Sequence, residues 1–332
     1  NRRFFQKKTS MILHKLRIVY MGTPDFAVLP LKKMVEAGFE IVGVVTNPDK
    51  PAGRGQKLQE SAVKQYAREA GLKILQPEKF RDEAFLAELK ALNADLQLVV
   101  AFKMLPEVVW NMPRLGTVNL HASLLPDYRG AAPINWAVIN GEKYSGVTTF
   151  LLKHEIDTGN IIFQQKVDIS DTMTAGELHD MLMETGAELL LKTVEAMEKN
   201  DFPALDQKDL LKGRTPQAAP KIFKDDMRIR WDEEIDRIYN LIRGLSPYPA
   251  AWTELENERS GEKYVLKVFT TEKICREHAN TPGSFETDGK NFVDVFVKHG
   301  TIRLKEIQLS GKKRMTIEEF LRGFKLHEYR FL

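Results

Sequence analysis

Short apolar runs that alternate with helical patterns constrain this chain more than any other feature. "LRIVYMG" (16–22), "EIVGVVTN" (40–47) and "DLQLVVAF" (95–102) are brief, mostly apolar and rich in Val, Ile and Leu, and "GTVNLHAS" (116–123) is the next short strand-like segment. Runs of this kind suit strands covered on both faces. Between them, "FAVLPLKKMVEAG", "SAVKQYAREAG" and "DEAFLAELKALN" read as helices, the first stopped by Gly38, and "LKILQP" reads as one more short strand. The alternation predicts a mostly parallel sheet with helices on both faces.

The pattern then changes. "VTTFLL" (147–152) and "NIIFQQKVDI" (160–169) suit neighbouring strands, and Thr174 with Glu177 forms a capping-box signature before a long helix that carries His179. Residues 203–221 hold three prolines and little periodicity, as a linker does. "WDEEIDRIYNLIRGL" predicts a short amphipathic helix. The segments "WTELE", "YVLKVFTTEKI", "FVDVFVKHG" and "TIRLKEIQL" predict a small β-barrel or sandwich, with an OB-type barrel fitting the size.

With 332 residues, 43% of them hydrophobic, the chain has enough material for two cores. No run approaches the length of a membrane span, so no membrane partner is expected. Cys275 stands alone, which points to a reducing compartment. Four of the basic residues lie in residues 1–10, expected to be a disordered extension or sequence upstream of the usual start. Without them the formal charge of residues 11–332 is −1. Nucleic-acid binding would then depend on local patches rather than on the net field.

The residues that carry chemistry cluster in "NLHASLLPDYRGAAPINW" (119–136). Asn119 and His121 stand two apart at the end of a predicted buried strand, so they share a face about 6.6 Å apart. In open α/β sheets ligands bind at the carboxyl ends of the strands. A core histidine satisfied by the asparagine is one reading of the pair; a ligand site is the other. In "EIDTGNI" (155–161), Asp157 is either a turn residue or the carboxylate that orients His121. Asn, His and Asp include no strong nucleophile, and no G-x-S-x-G elbow surrounds Ser123. The trio suits direct acyl transfer to an amine, with an asparagine amide and an imidazolium on the oxyanion and a carboxylate–histidine pair managing protons.

Other signals exclude more than they assign. "MGTPDFAV" has one glycine and no G-x-G-x-x-G, which disfavours a nicotinamide dehydrogenase. There is no phosphate-binding P-loop and no metal-ligand spacing, so no metal is expected; His14, His154, His278, His299 and His327 are scattered singly. "NPDKPAGRGQK" (47–57), with Lys50, Arg54 and Lys57, reads either as a solvated loop or as a basic lid for phosphates.

"NLHASLLPDYRGAAPINWAVINGE", "GVTTF" and "DTGNI" resemble the signature of the folate-dependent formyltransferase family. Further along, "VYMGTPDFAV", "TNPDKPAGRGQKL", "NMPRLG", "APKI", "RIRWDEE" and "IRGLSPYPAAW" are similar to the branch that acts on tRNA, and the likeness covers residues 16–332 in order. The resemblance implies a Rossmann-like α/β formyltransferase domain (11–202), a linker (203–221) and a C-terminal OB-like β-barrel domain that contacts tRNA (222–332). It implies transfer of formyl from 10-formyltetrahydrofolate to the methionine amine of initiator methionyl-tRNA, in the cytoplasm, by a monomer; a small amine such as an amino sugar or nucleotide is the alternative acceptor. Asn119, His121 and Asp157 would be catalytic, and Ser123, Leu124, Leu125 and Pro126 would line the folate site. Arg54, Lys50 and Lys57 would meet tRNA, with Lys312, Lys313 and Arg314 a further patch. The family's "AYGLILP" is "AFKMLP" here, so no contact is carried over from that segment. Residues 222–332 hold 20 Lys/Arg against 19 Asp/Glu, so tRNA contact there would rely on one face.

Overall fold

The computed structural model describes residues 15–52 and 57–332. The expected extension (1–10) and Arg54 lie outside the described residues. The chain begins β1 (Arg17–Gly22), α1 (Val28–Glu36), β2 (Glu40–Val45), β3 (Lys50–Ala52), β4 (Lys57–Gln59), α2 (Ala62–Glu69), β5 (Ile74–Leu75) and α3 (Glu83–Ala91). It continues β6 (Leu96–Val100), α4 (Glu107–Trp110), β7 (Thr117–His121), β8 (Arg129–Gly130), α5 (Pro133–Ile139), β9 (Tyr144–Leu151), β10 (Ile161–Asp168), α6 (Ala175–Glu198) and α7 (Gln207–Leu211).

A seven-stranded sheet runs β10-β9-β7-β6-β1-β2-β5. The pairs β1–β2, β1–β6, β2–β5 and β6–β7 are parallel, as the apolar runs predicted; β7–β9 is antiparallel. All five residues of β6 and the last five of β1 are buried, which is why these strands read as mostly apolar runs, broken in β6 only by Gln97. The chain lays strands outward from β1 to β5, then returns past β1 with β6 and β7. The order therefore switches between β1 and β6, the place where open α/β sheets leave a crevice at their carboxyl ends. Gly22 ends β1 there; a Cβ on it would come within 2.9 Å of the Val100 carbonyl oxygen. Helices α2 and α3 begin on Ser61 and Asp82, whose side chains accept the Lys64 and Phe85 N–H groups.

The described residues fall into two compact units: one drawn from residues 15–52, 57–126, 147–165 and 182–215, the other from residues 127–146, 166–181 and 216–332. The second unit includes β11 (Ala218–Ala219), which pairs in parallel with β8. After it come α8 (Ile235–Leu245), β12 (Ala251–Asn257), β13 (Lys263–Cys275), β14 (Phe285–Thr287), β15 (Val293–Val297), β16 (Gly300–Leu309), β17 (Met315–Thr316), α9 (Ile317–Gly323) and β18 (Tyr329–Phe331). The second sheet runs β14-β15-β16-β13-β12-β18, with antiparallel pairing throughout. Register shifts between Val268 and Thr271 bend the long β13, giving the curled, OB-like sheet. The apolar face of α8 (Ile235, Ile238, Ile242, Leu245) shares a core with Leu266, Val268, Val295, Ile302 and Phe331. α9 opens with a complete capping box, Thr316 with Glu319.

Candidate active site

At the carboxyl end of β7, Asn119 lies opposite Val99 of β6 and Phe150 of β9, and His121 lies opposite Thr148. Their neighbours Val118 and Leu120 point into the core, so the two-residue period turns Asn119 and His121 to the other face. Asn119 is half-buried and His121 is 8% exposed. Asp157 comes from the loop between β9 and β10. Its Oδ2 stands 4.0 Å from His121 Nδ1, and the two side chains are 12% and 9% exposed. That separation exceeds a hydrogen bond, and a movement of about 1 Å closes it.

The loop that presents Asp157 is tightly determined. Asp157 has a left-handed backbone (φ 54°), uncommon away from glycine and seen most often for Asp and Asn. Ala101, just past β6, is left-handed too (φ 47°) and has no polar side chain to compensate. Gly159 could be nothing else: a Cβ would lie 1.5 Å from the Leu151 carbonyl oxygen. The Thr158 hydroxyl donates to the Glu155 carbonyl at 3.0 Å.

The segment after β7 is held against β9 and β10. Thr148 Oγ1 donates to the Ser123 carbonyl at 2.7 Å and accepts the Leu125 N–H at 3.1 Å. The Gln164 side-chain amide donates to the Leu125 carbonyl at 2.8 Å and to Thr148 Oγ1 at 2.9 Å. Leu125 packs with Phe150 and Ile161. Ser123, Leu125 and Pro126 are therefore buried, while Leu124 is half-buried. Neither Thr148 nor Gln164 carries a local signal in the sequence, because each bonds a backbone group 23 to 39 residues away.

The basic segment is a two-stranded hairpin rather than a plain loop: Lys50 pairs with Gln59 and Pro51 with Leu58. Lys50 and Lys57 are exposed. At its base Asp49 accepts from Lys64 Nζ at 2.7 Å and Gln76 Nε2 at 2.8 Å, bonds that hold its carboxyl below the usual carboxylate range. Residues 53–56, between the strands, are outside the described residues. His179 meets Asp180 at 3.0 Å. Among the described residues no group of three or more His, Cys, Asp or Glu could hold a metal ion, and no helix is long and apolar enough to cross a membrane.

Two family models match this architecture: "Formyl transferase" over residues 16–194 and "Formyl transferase, C-terminal domain" over residues 221–325. The chain belongs to the formyltransferase family. This formyltransferase is 59% identical over 312 residues to the methionyl-tRNA formyltransferase of Parabacteroides distasonis, covering 93% of its own length and 96% of the relative's. It is 56% identical over 313 residues to the enzyme of that name from Bacteroides fragilis, covering 94% and 96%. Among solved structures, the sugar 3N-formyltransferase WlaRD superposes with a TM-score of 0.62 at 20% identity, over 90% of this chain and all of that one. HypX from Aquifex aeolicus, in complex with tetrahydrofolic acid, does so at 0.62 and 17%, over 93% of this chain and 48% of that one.

Proposed function

We propose that this formyltransferase moves the formyl group of 10-formyltetrahydrofolate to the α-amine of the methionine on initiator methionyl-tRNA. The observation that carries the reading is its end-to-end likeness, at 59% identity, to a methionyl-tRNA formyltransferase, C-terminal domain included. Sugar formyltransferases share the fold at a far lower identity.

The residues present fit a formyl donor at the carboxyl end of β7, where Asn119 and His121 bring two polar side chains to one face of the strand. In this reading the methionine amine attacks the formyl carbon. Asn119 and a protonated His121 stabilise the negative charge growing on the formyl oxygen. The bond from that carbon to the folate nitrogen then breaks. The proton lost by the amine passes through the Asp157–His121 pair to the departing nitrogen. Ser123, Leu124, Leu125 and Pro126 shape the wall for the folate, with Leu124 the member open to contact. Lys50, Arg54 and Lys57 meet the tRNA phosphates. Residues 222–332 supply a second tRNA contact, including Lys312, Lys313 and Arg314. The protein acts as a monomer in the cytoplasm.

The test offers purified protein and 10-formyltetrahydrofolate four acceptors: methionyl initiator tRNA, methionyl elongator tRNA, free methionine and a nucleotide-linked amino sugar. Formylation confined to the initiator tRNA is expected. Formylation of the amino sugar alone would overturn the assignment of acceptor.

A further inference from the structure

We propose that Gln207 is a positioning residue that sets the Asp157 carboxylate opposite His121. Gln207 opens α7, beyond the first sheet and 50 residues from Asp157, and is 1% exposed. Its side-chain nitrogen donates to the Asp157 carbonyl at 2.8 Å and to the Gly159 carbonyl at 2.8 Å. Both amide hydrogens are thus spent on the carbonyls of the residues on either side of Thr158.

A second anchor lies beside it. Leu205 and Ile161 exchange reciprocal backbone hydrogen bonds, each 2.9 Å. Asp206 caps α7 by accepting the Lys208 N–H at 2.9 Å. Residues 205–207 therefore grip the β9–β10 loop at its end and along its middle. A left-handed Asp persists only where its surroundings over-determine it. Fixing the carbonyl of residue 157 fixes the peptide plane and with it the direction of the Cα–Cβ bond. That direction decides whether the carboxylate faces the imidazole 4.0 Å away. Holding those two carbonyls takes two donors on one planar group, which glutamine has and neither glutamate nor methionine has. The inference rests on the proton-handling role given above to Asp157 and His121.

The experiment compares parent, Gln207→Met, Gln207→Glu and Asp157→Asn in steady-state formylation. Gln207→Met keeps the buried volume and removes both donors. Its kcat is expected to fall about 10- to 100-fold, the penalty of a misplacement near 1 Å. The KM values for folate and tRNA should stay within about threefold of the parent's, because no binding contact is removed. Its pH–kcat profile should also be displaced from the parent's, which a purely structural role would not cause. Gln207→Glu aims a carboxylate at two carbonyls, and only its protonated form can donate. Its activity relative to the parent should therefore rise as the pH falls, and this readout stands even if Gln207→Met does not fold. A Gln207→Met enzyme with the parent's kcat and pH profile would overturn the proposal. So would a Gln207→Glu enzyme whose relative activity ignores pH. Full activity of Asp157→Asn would instead sink the reading of the pair itself.

Discussion

Asp157 and Asp294 are both inward-facing carboxylates, 12% and 3% exposed at their side chains, and the protein treats them differently. Asp294 on β15 sits opposite Arg303 on β16, which donates from Nε at 2.7 Å and from Nη2 at 2.8 Å; the Phe292 ring lies 5.0 Å from the guanidinium. Cross-strand register alone creates that bidentate pair, and it serves the sheet. Asp157 is instead held by its backbone, left-handed and bonded to Gln207, while its carboxylate stops 4.0 Å short of His121. Where a charge stabilises the fold, side chain meets side chain at full contact. Where it serves the proposed chemistry, the scaffold grips the main chain and so sets the direction of the carboxylate toward His121.

The strongest way to break this contrast is His121→Ala. Formyl transfer should fall by about 10³-fold or more, with the circular dichroism spectrum and melting temperature near the parent's. Near-parental turnover would remove His121 from the mechanism. Asp294→Ala should do the reverse. It strands Arg303, whose side chain is 33% exposed and can partly turn to water, so the loss of stability should be about 2 kcal/mol. A drop of roughly 5 °C in the thermal midpoint would report it, with kcat unchanged below the transition. A large loss of kcat without a loss of stability would erase the distinction between the two carboxylates.

Two smaller effects sharpen the picture at the hairpin. Arg54→Ala should raise KM for tRNA about tenfold and leave folate binding unchanged, as expected for a phosphate contact; equal effects on both substrates would end the lid reading. Asp49 has its carboxyl lowered by the hydrogen bonds from Lys64 and Gln76. A depressed folded-state value means its contribution is present above the ordinary carboxylate range and is lost as the pH falls through the folded value. Asp49→Asn should therefore lose less stability than the parent between about pH 5 and pH 3. Thermal melts with parallel pH dependence would contradict that anchoring role.

Much of the first sheet was legible because its parallel strands are buried on both faces and leave mostly apolar runs. The Asn119–His121 pair was legible because two polar residues with amide and imidazole groups share one strand period at the end of a buried strand. The hairpin was not. Its strands carry Pro51 and lie beside glycines, which signal turns, and its pairing depends on exposed residues with no apolar alternation. β18 is three residues long and owes its strand character to pairing with β12, a partner more than seventy residues away. α9 did carry a readable signal, the spacing of Thr316 and Glu319 in its capping box. Gln207 had none. It sits in a proline-marked stretch that reads as a linker, and its partners lie 48 and 50 residues upstream.

The most direct test of the central claim is a double-mutant cycle on kcat with His121→Ala, Asp157→Asn and the two combined. If the pair manages protons as one unit, the double variant should be about as slow as His121→Ala alone, because the carboxylate acts through the imidazole. Losses that multiply, so that the double variant is slower by the product of the two single effects, would show that the residues act independently and would contradict the account.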